Sequence, residues 1–230
     1  MRCAIEIHHG IDDVISFVED LSTIQSISIQ RKAGNEGSWR EIKKVVVSSE
    51  NNLIFSFIDY TTRSHQEYEY RNVITTDADY IGVTNRIISR FFGIVIANKS
   101  KAYVSLINPE YTCQREFNTA YIKPYNSQYP HVIQNGIANS SKGTVKGSFN
   151  PIGDDCLIQM EYADFTDEFI DFLSDGTSKV LKTYDGHAWY VQIDTPVTLE
   201  TGEIEGLSKI NFSWTEIGRM PVNLNHSIAG

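Results

Sequence analysis

Through the first third of the chain, apolar and polar residues alternate with a period of two in short runs separated by turn clusters. The runs are "CAIEI", "DVISFV", "SISIQRK", "WREIKKVVV", "LIFSFIDY" and "EYEYRNVITT", and clusters such as "AGNEGS" and "SSENN" separate them. Successive side chains of a strand point to opposite faces, so a period of two gives one buried face and one wet face. Runs this short and this rich in β-branched residues predict strands about ten residues apart, the spacing of a β-sandwich. In "SISIQRK" the pattern puts Ile27 and Ile29 on one face and Ser28 and Gln30 on the other. In "YEYR" it puts Tyr68 and Tyr70 inward, with Glu67, Glu69 and Arg71 outward and Tyr60 in the corner before the strand.

The second part has further runs, "FGIVIAN", "AYVSLI", "GTVKGSF", "CLIQMEY", "KVLKTYDG", "AWYVQID" and "KINFSWTEIG". It also has one helical pattern near 165–175, where Phe165, Phe169, Phe172 and Leu173 recur at helical spacing. There Thr166 is a candidate N-cap, Asp167 and Glu168 favour the N-terminal dipole, and Gly176 can end the helix. The fold class expected is mainly β, with a sandwich over 1–88, a second β domain over 89–218 carrying that helix, and a tail over 219–230. The tail lacks periodicity and reads as docking on a neighbour or staying disordered. The 108–143 connection shows little alternation and is rich in Tyr, Asn and Pro. Connections of that length are uncommon unless they bind something. Tyr121, Tyr125, Tyr129 and His131 are therefore the candidate interface residues.

Twenty Lys+Arg against 29 Asp+Glu leave a formal net charge of −9, which opposes a phosphate backbone and argues against nucleic acid or an anionic membrane as partner. "MRCAIEIHHGIDDV" meets charged residues too early for a signal peptide or membrane span. Cys3, Cys113 and Cys156 lie far apart with no C-x-x-C pair and read as small buried thiols. No phosphate-cradling, zinc-protease or nucleophile-elbow motif is present, so no catalytic, cofactor-binding or metal-binding residue is assigned. His8 and His9 fall on opposite faces of a strand, which suits one metal ion poorly. Asp77 with Asp79, and Asp154 with Asp155, read as solvated loop carboxylates. Glu161, Asp164 and Glu168 read as acids at a helix start rather than a glycosidase pair, and His187, Trp189 and Tyr190 as an aromatic core strand rather than a sugar site.

Two resemblances add to this reading. The succession from "SISIQ" to "EYEYRNVIT", with Trp39, the Asp59-Tyr60-Thr61 corner, Tyr68, Tyr70 and Val73, resembles a fibronectin type III domain over roughly residues 4–88. Phe17 stands where such domains usually carry Trp. Most of 91–218 resembles tail and baseplate (distal-tail-like) structural proteins of phages or phage-tail-like particles of Gram-positive bacteria. The motifs are "YPHV" from Tyr129, "GTVKGSF" from Gly143, "FLSDGTSKVLK" from Phe172, "DGHAW" from Asp185 and "WTEIG" from Trp214. The resemblance implies a non-enzymatic virion subunit, made in the host cytoplasm, that forms a ring-like homo-oligomer and contacts other tail or baseplate proteins without a cofactor. The alternative is a carbohydrate- or cell-surface-binding β module, an adhesin or receptor-binding protein, with host surface polysaccharide stacked on Trp189, Tyr190 and the tyrosines at 121, 125 and 129.

Overall fold

The computed structural model describes residues 4–10, 18, 20–34, 36–77, 79–83, 86–115, 119–134, 140–153, 165–201, 208–222 and 224. It is mainly β, with several antiparallel sheets and a single α-helix among the described residues.

β1 (Ile5–His9) pairs with β4 (Phe55–Asp59) in one sheet. The facing sheet runs β3 (Arg40–Val46), β2 (Ser26–Ala33), β5 (Gln66–Thr75), β6 (Asp79–Val83), and β7 (Ile87–Ser89) pairs with the start of β5. The expected apolar face is buried, but the opposite face of β2 is covered as well at Ser26 and Ser28, so there the period of two separates apolar from polar side chains rather than buried from wet ones. Ile27 and Ile29 are fully buried with Ile42, Tyr68 and Tyr70 in a core that also takes Ile5 and Ile7 from the opposite sheet. Alternation on β1 puts His8 outside and His9 inside, where His9 Nδ1 lies 2.7 Å from the Leu53 carbonyl and the ring stacks on Phe55.

Residues 94–218 build one nine-stranded sheet. Its order is β10 (Glu110–Tyr111), β14 (Ser141–Gly147), β18 (Ser208–Gly218), β17 (Ala188–Thr201), β16 (Lys179–Thr183), β8 (Ile94–Ala97), β9 (Ala102–Ser105), β15 (Asn150–Ile152). A further strand, β11 (Gln114–Arg115), also pairs with β14. One face carries α1 (Phe165–Ser174), whose Phe169, Phe172 and Leu173 meet Ile94, Ile96, Tyr103, Leu181, Phe212 and Trp214. The other face of β8 and β9 buries Val95, Ala97, Ala102 and Val104 against Phe91, with Tyr60 of the first sandwich and Leu224 packed on them. Strands covered on both faces read as continuous apolar runs, which explains "IVIA". Tyr60 therefore ties the corner after β4 to the second sheet, and Ser64 Oγ, accepting from the Phe91 amide at 3.2 Å, holds the same corner.

The glycines of "GTVKGSF" are set by close approaches. A Cβ at Gly143 would lie 1.9 Å from the Thr112 carbonyl oxygen, and one at Gly147 would lie 2.3 Å from Ser105 Oγ, so neither strand position admits a side chain.

Four expectations change. The 108–143 connection is not irregular, for it contributes β10, β11 and a further pair of strands described below. Thr166 is already helical within α1, so it is not the N-cap; Gly176 does sit just past the end with φ +72°. Cys113 is exposed rather than buried, while Cys3 and Cys156 lie outside the described residues. The segment after Gly218 docks on its own chain: Val222 packs on the first core, Leu224 on the cluster between the sheets, and the Val222 carbonyl lies 3.1 Å from Thr61 Oγ1. "DVISFV" up to Phe17, "CLIQMEY", Asp154, Asp155, Glu161 and Asp164 fall outside the described residues, while Val18 at the end of the first run is buried in the first core.

Candidate functional site: an exposed aromatic hairpin

The candidate interface residues converge on one element. β12 (Thr119–Ile122) and β13 (His131–Gln134) form a two-stranded antiparallel hairpin in register Thr119↔Gln134, Ala120↔Ile133, Tyr121↔Val132 and Ile122↔His131. Among the described residues these strands pair with each other and with no other sheet. Pro124 and Pro130 bracket the tip; lacking an amide donor, each stops the ladder where it stands. Within the tip the Ser127 hydroxyl donates to the Tyr129 carbonyl at 2.7 Å, and the Ser127 amide donates to the Pro124 carbonyl at 3.2 Å.

Register sorts the side chains. Tyr121 and Val132 oppose each other on one face, and Ile122 with His131, then Ala120 with Ile133, share the other. Neither face is covered: Tyr121 is 69% exposed, Tyr129 72% and Val132 60%, and Ile122, Tyr125 and His131 are exposed as well. A lone hairpin is marginal in water, and large apolar side chains on both of its faces are the opposite of what a solvated arm needs. The four residues chosen from the sequence thus lie together. Ile122, Val132 and Ile133 complete the surface, and their signal in the sequence is the short alternation in "TAYI" and "HVIQ".

The other candidates belong to the scaffold. Trp189 is buried with the rings of Tyr111, His187 and Trp214 packed around it at centroid distances of 6.2, 5.4 and 5.0 Å, so it offers no platform to a sugar. Glu168 accepts from Lys101 Nζ at 2.6 Å, and that bond holds its carboxyl below the usual range, the reverse of a general acid kept protonated. Asp77 and Asp79 are both exposed. No group of three or more His, Cys, Asp or Glu among the described residues is placed to hold a metal ion, and no helix among them is long and apolar enough to cross a membrane.

The strongest buried polar network is structural. The Asp59 carboxylate, 1% exposed, accepts from Arg31 Nη1 at 2.5 Å, from the Tyr70 hydroxyl at 2.9 Å, and from the amide of Thr61 at 2.9 Å. Burial pushes the Tyr70 phenol far up, and the neighbouring Asp59 charge adds to the shift. Burial is the largest single influence on Arg31 and opposes its charge, but Asp59, Tyr70 and Tyr68 together outweigh it and the net shift is upward. Every member is paired, which is what makes a buried charge tolerable. Lys179 is likewise fully buried: its ammonium donates to Asp175 Oδ1 at 2.6 Å and to the Thr177 carbonyl at 2.9 Å, and burial lowers its pKa.

Compared with known protein families and with curated proteins, the chain matches none.

Proposed function

We propose that the chain is a non-enzymatic structural subunit of a phage tail tip or baseplate, and that it docks on neighbouring copies or other tail proteins through the β12–β13 hairpin. The observation that carries the reading is a hairpin that exposes Tyr121, Tyr129, Ile122 and Val132 and pairs with nothing else among the described residues. The motif resemblance over 91–218 supports the same reading. Many of its residues, including Val145, Leu181, Trp189 and Trp214, are core residues of the nine-stranded sheet, so the motifs serve to hold a scaffold from which the hairpin projects. Residues 1–88 then form a fibronectin type III-like spacer, supported by two antiparallel sheets closing on one core that includes the paired tyrosines of β5. A head-to-tail contact made by an arm on the next subunit closes into a ring when the rotation permits, and such a subunit is carried in the virion after synthesis in the host cytoplasm.

The test is native mass measurement and size-exclusion chromatography of the wild type and of a variant with Tyr121, Tyr129 and Val132 all replaced by serine. The wild type is expected to assemble, alone or with a tail protein. The variant is expected to melt like the wild type but remain monomeric. Assembly that survives the three changes removes the hairpin from the interface. A wild-type monomer that is retained on cell-wall polysaccharide, with no tail protein recruiting it, replaces the structural reading by the surface-binding one.

A further inference from the structure

A cleft of ≈ 390 Å³ runs between the first sandwich and the second sheet, closed on one side by Met220, Pro221 and Val222. Its volume lies in the range of small-molecule sites, roughly 300–1,000 Å³. Four of the chain's nine arginines line it: Arg31 from β2, Arg40 from the start of β3, Arg63 from the turn after β4, and Arg219 just past β18. In a chain of net charge −9 such clustering is not a sample of the average surface.

Two of the nearby acids are ion-paired with cleft arginines, and the third, Glu216, is held by a backbone amide. Arg31 is bound to Asp59, Arg40 pairs with Glu36 at 3.0 Å, and Glu216 Oε2 accepts from the Ser141 amide at 2.9 Å. Among the described residues no ion pair involves Arg63 or Arg219, and both residues line the cleft while staying exposed. Two guanidinium groups free of ion pairs, in a cleft lined also by Tyr68 and Ala33, are the parts of an anion site. A guanidinium offers a planar fork of donors that matches the oxygens of a carboxylate or phosphate.

We propose that this cleft binds a small ligand bearing an oxyanion, phosphate or carboxylate, held by Arg63 and Arg219. One arginine comes from each side of the cleft, so the bound anion bridges the first sandwich and the strand end that leads into the C-terminal segment. No residue of the hairpin lines this cleft.

The test is isothermal titration of the full chain with inorganic phosphate and, separately, with succinate, at matched ionic strength with chloride as the reference anion. Saturable binding of at least one of them is expected, weakened about tenfold or more by Arg63→Gln and by Arg219→Gln, because each removes a charged donor pair. Arg90→Gln, an exposed arginine outside the cleft, should leave binding unchanged. Phosphate binding alone identifies a phosphorylated ligand, and succinate binding alone a carboxylate. No saturable heat from either anion up to about 10 mM, the range of a weak single-anion site, overturns the proposal. Equal loss from Arg90→Gln overturns it too, since that outcome describes general charge screening.

Discussion

Replacing Tyr70 by alanine is expected to lower the stability of the first sandwich by about 3–5 kcal/mol, read as a drop in the midpoint of denaturant unfolding. The ring is 1% exposed in the centre of the core formed by β1, β2, β3 and β5, so its removal leaves a cavity that the two sheets cannot close. The hydroxyl adds a second loss, because it donates to Asp59 Oδ2 at 2.9 Å and that carboxylate is enclosed. Tyr70→Phe separates the two contributions. It keeps the ring and removes one donor from a buried charge, at a cost of about 1–3 kcal/mol. An alanine variant that loses less than about 1 kcal/mol would mean that β5 is in the wrong phase and that Tyr70 does not face the core.

Phe169→Asp is expected to abolish soluble expression of the chain, while Asp171→Ala, two positions along the same helix, leaves it unchanged. Phe169 is 1% exposed, with its ring centroid 4.5 Å from that of Phe149 and 4.8 Å from that of Tyr103, and it touches Phe172 and Phe212 as well. A carboxylate placed among four aromatic rings finds no donor and no water, and the cost of burying it exceeds what a domain of this size has in reserve. Asp171 lies on the exposed side of α1. Equal expression of the two variants would show that α1 does not pack on the sheet through this face.

Both predictions rest on residues whose placement could be read from periodicity. Ile27, Ile29, Tyr68 and Tyr70 are legible because apolar and polar residues alternate along the strands that carry them, even where Ser26 and Ser28 are buried too, and Phe169, Phe172 and Leu173 because a helix on a sheet keeps a 3.6-residue stripe. What stayed illegible has a physical reason in each case. β10 and β11 are two residues each and largely exposed, too short for any period to register, so the 108–143 connection reads as loop although part of it belongs to the nine-stranded sheet. Thr166 is of the right residue type for a cap, but a cap also needs non-helical backbone at its own position, and Thr166 is helical. The candidate interface residues are read from the length and composition of their connection, and the structure adds the register that puts Tyr121 opposite Val132. The arginine cleft could not be seen at all: positions 31, 40, 63 and 219 meet only after the chain has folded.

The hydrogen bond between Thr61 and the carbonyl of Val222 spans 161 positions of sequence, and Val222 packs on the first core. On the ribosome, where residues are added at about 5–20 per second, the sandwich made by the early strands therefore emerges roughly 8–30 s before the piece that finishes its wall. For that interval the flank later lined by Met220, Pro221 and Val222 faces solvent. A nascent chain arrested before residue 219 should consequently be more protease-sensitive around Thr61 and Arg63 than the released protein. The lag also sets an order of events, because the arginine cleft cannot acquire its Arg219 side until translation of that segment is complete.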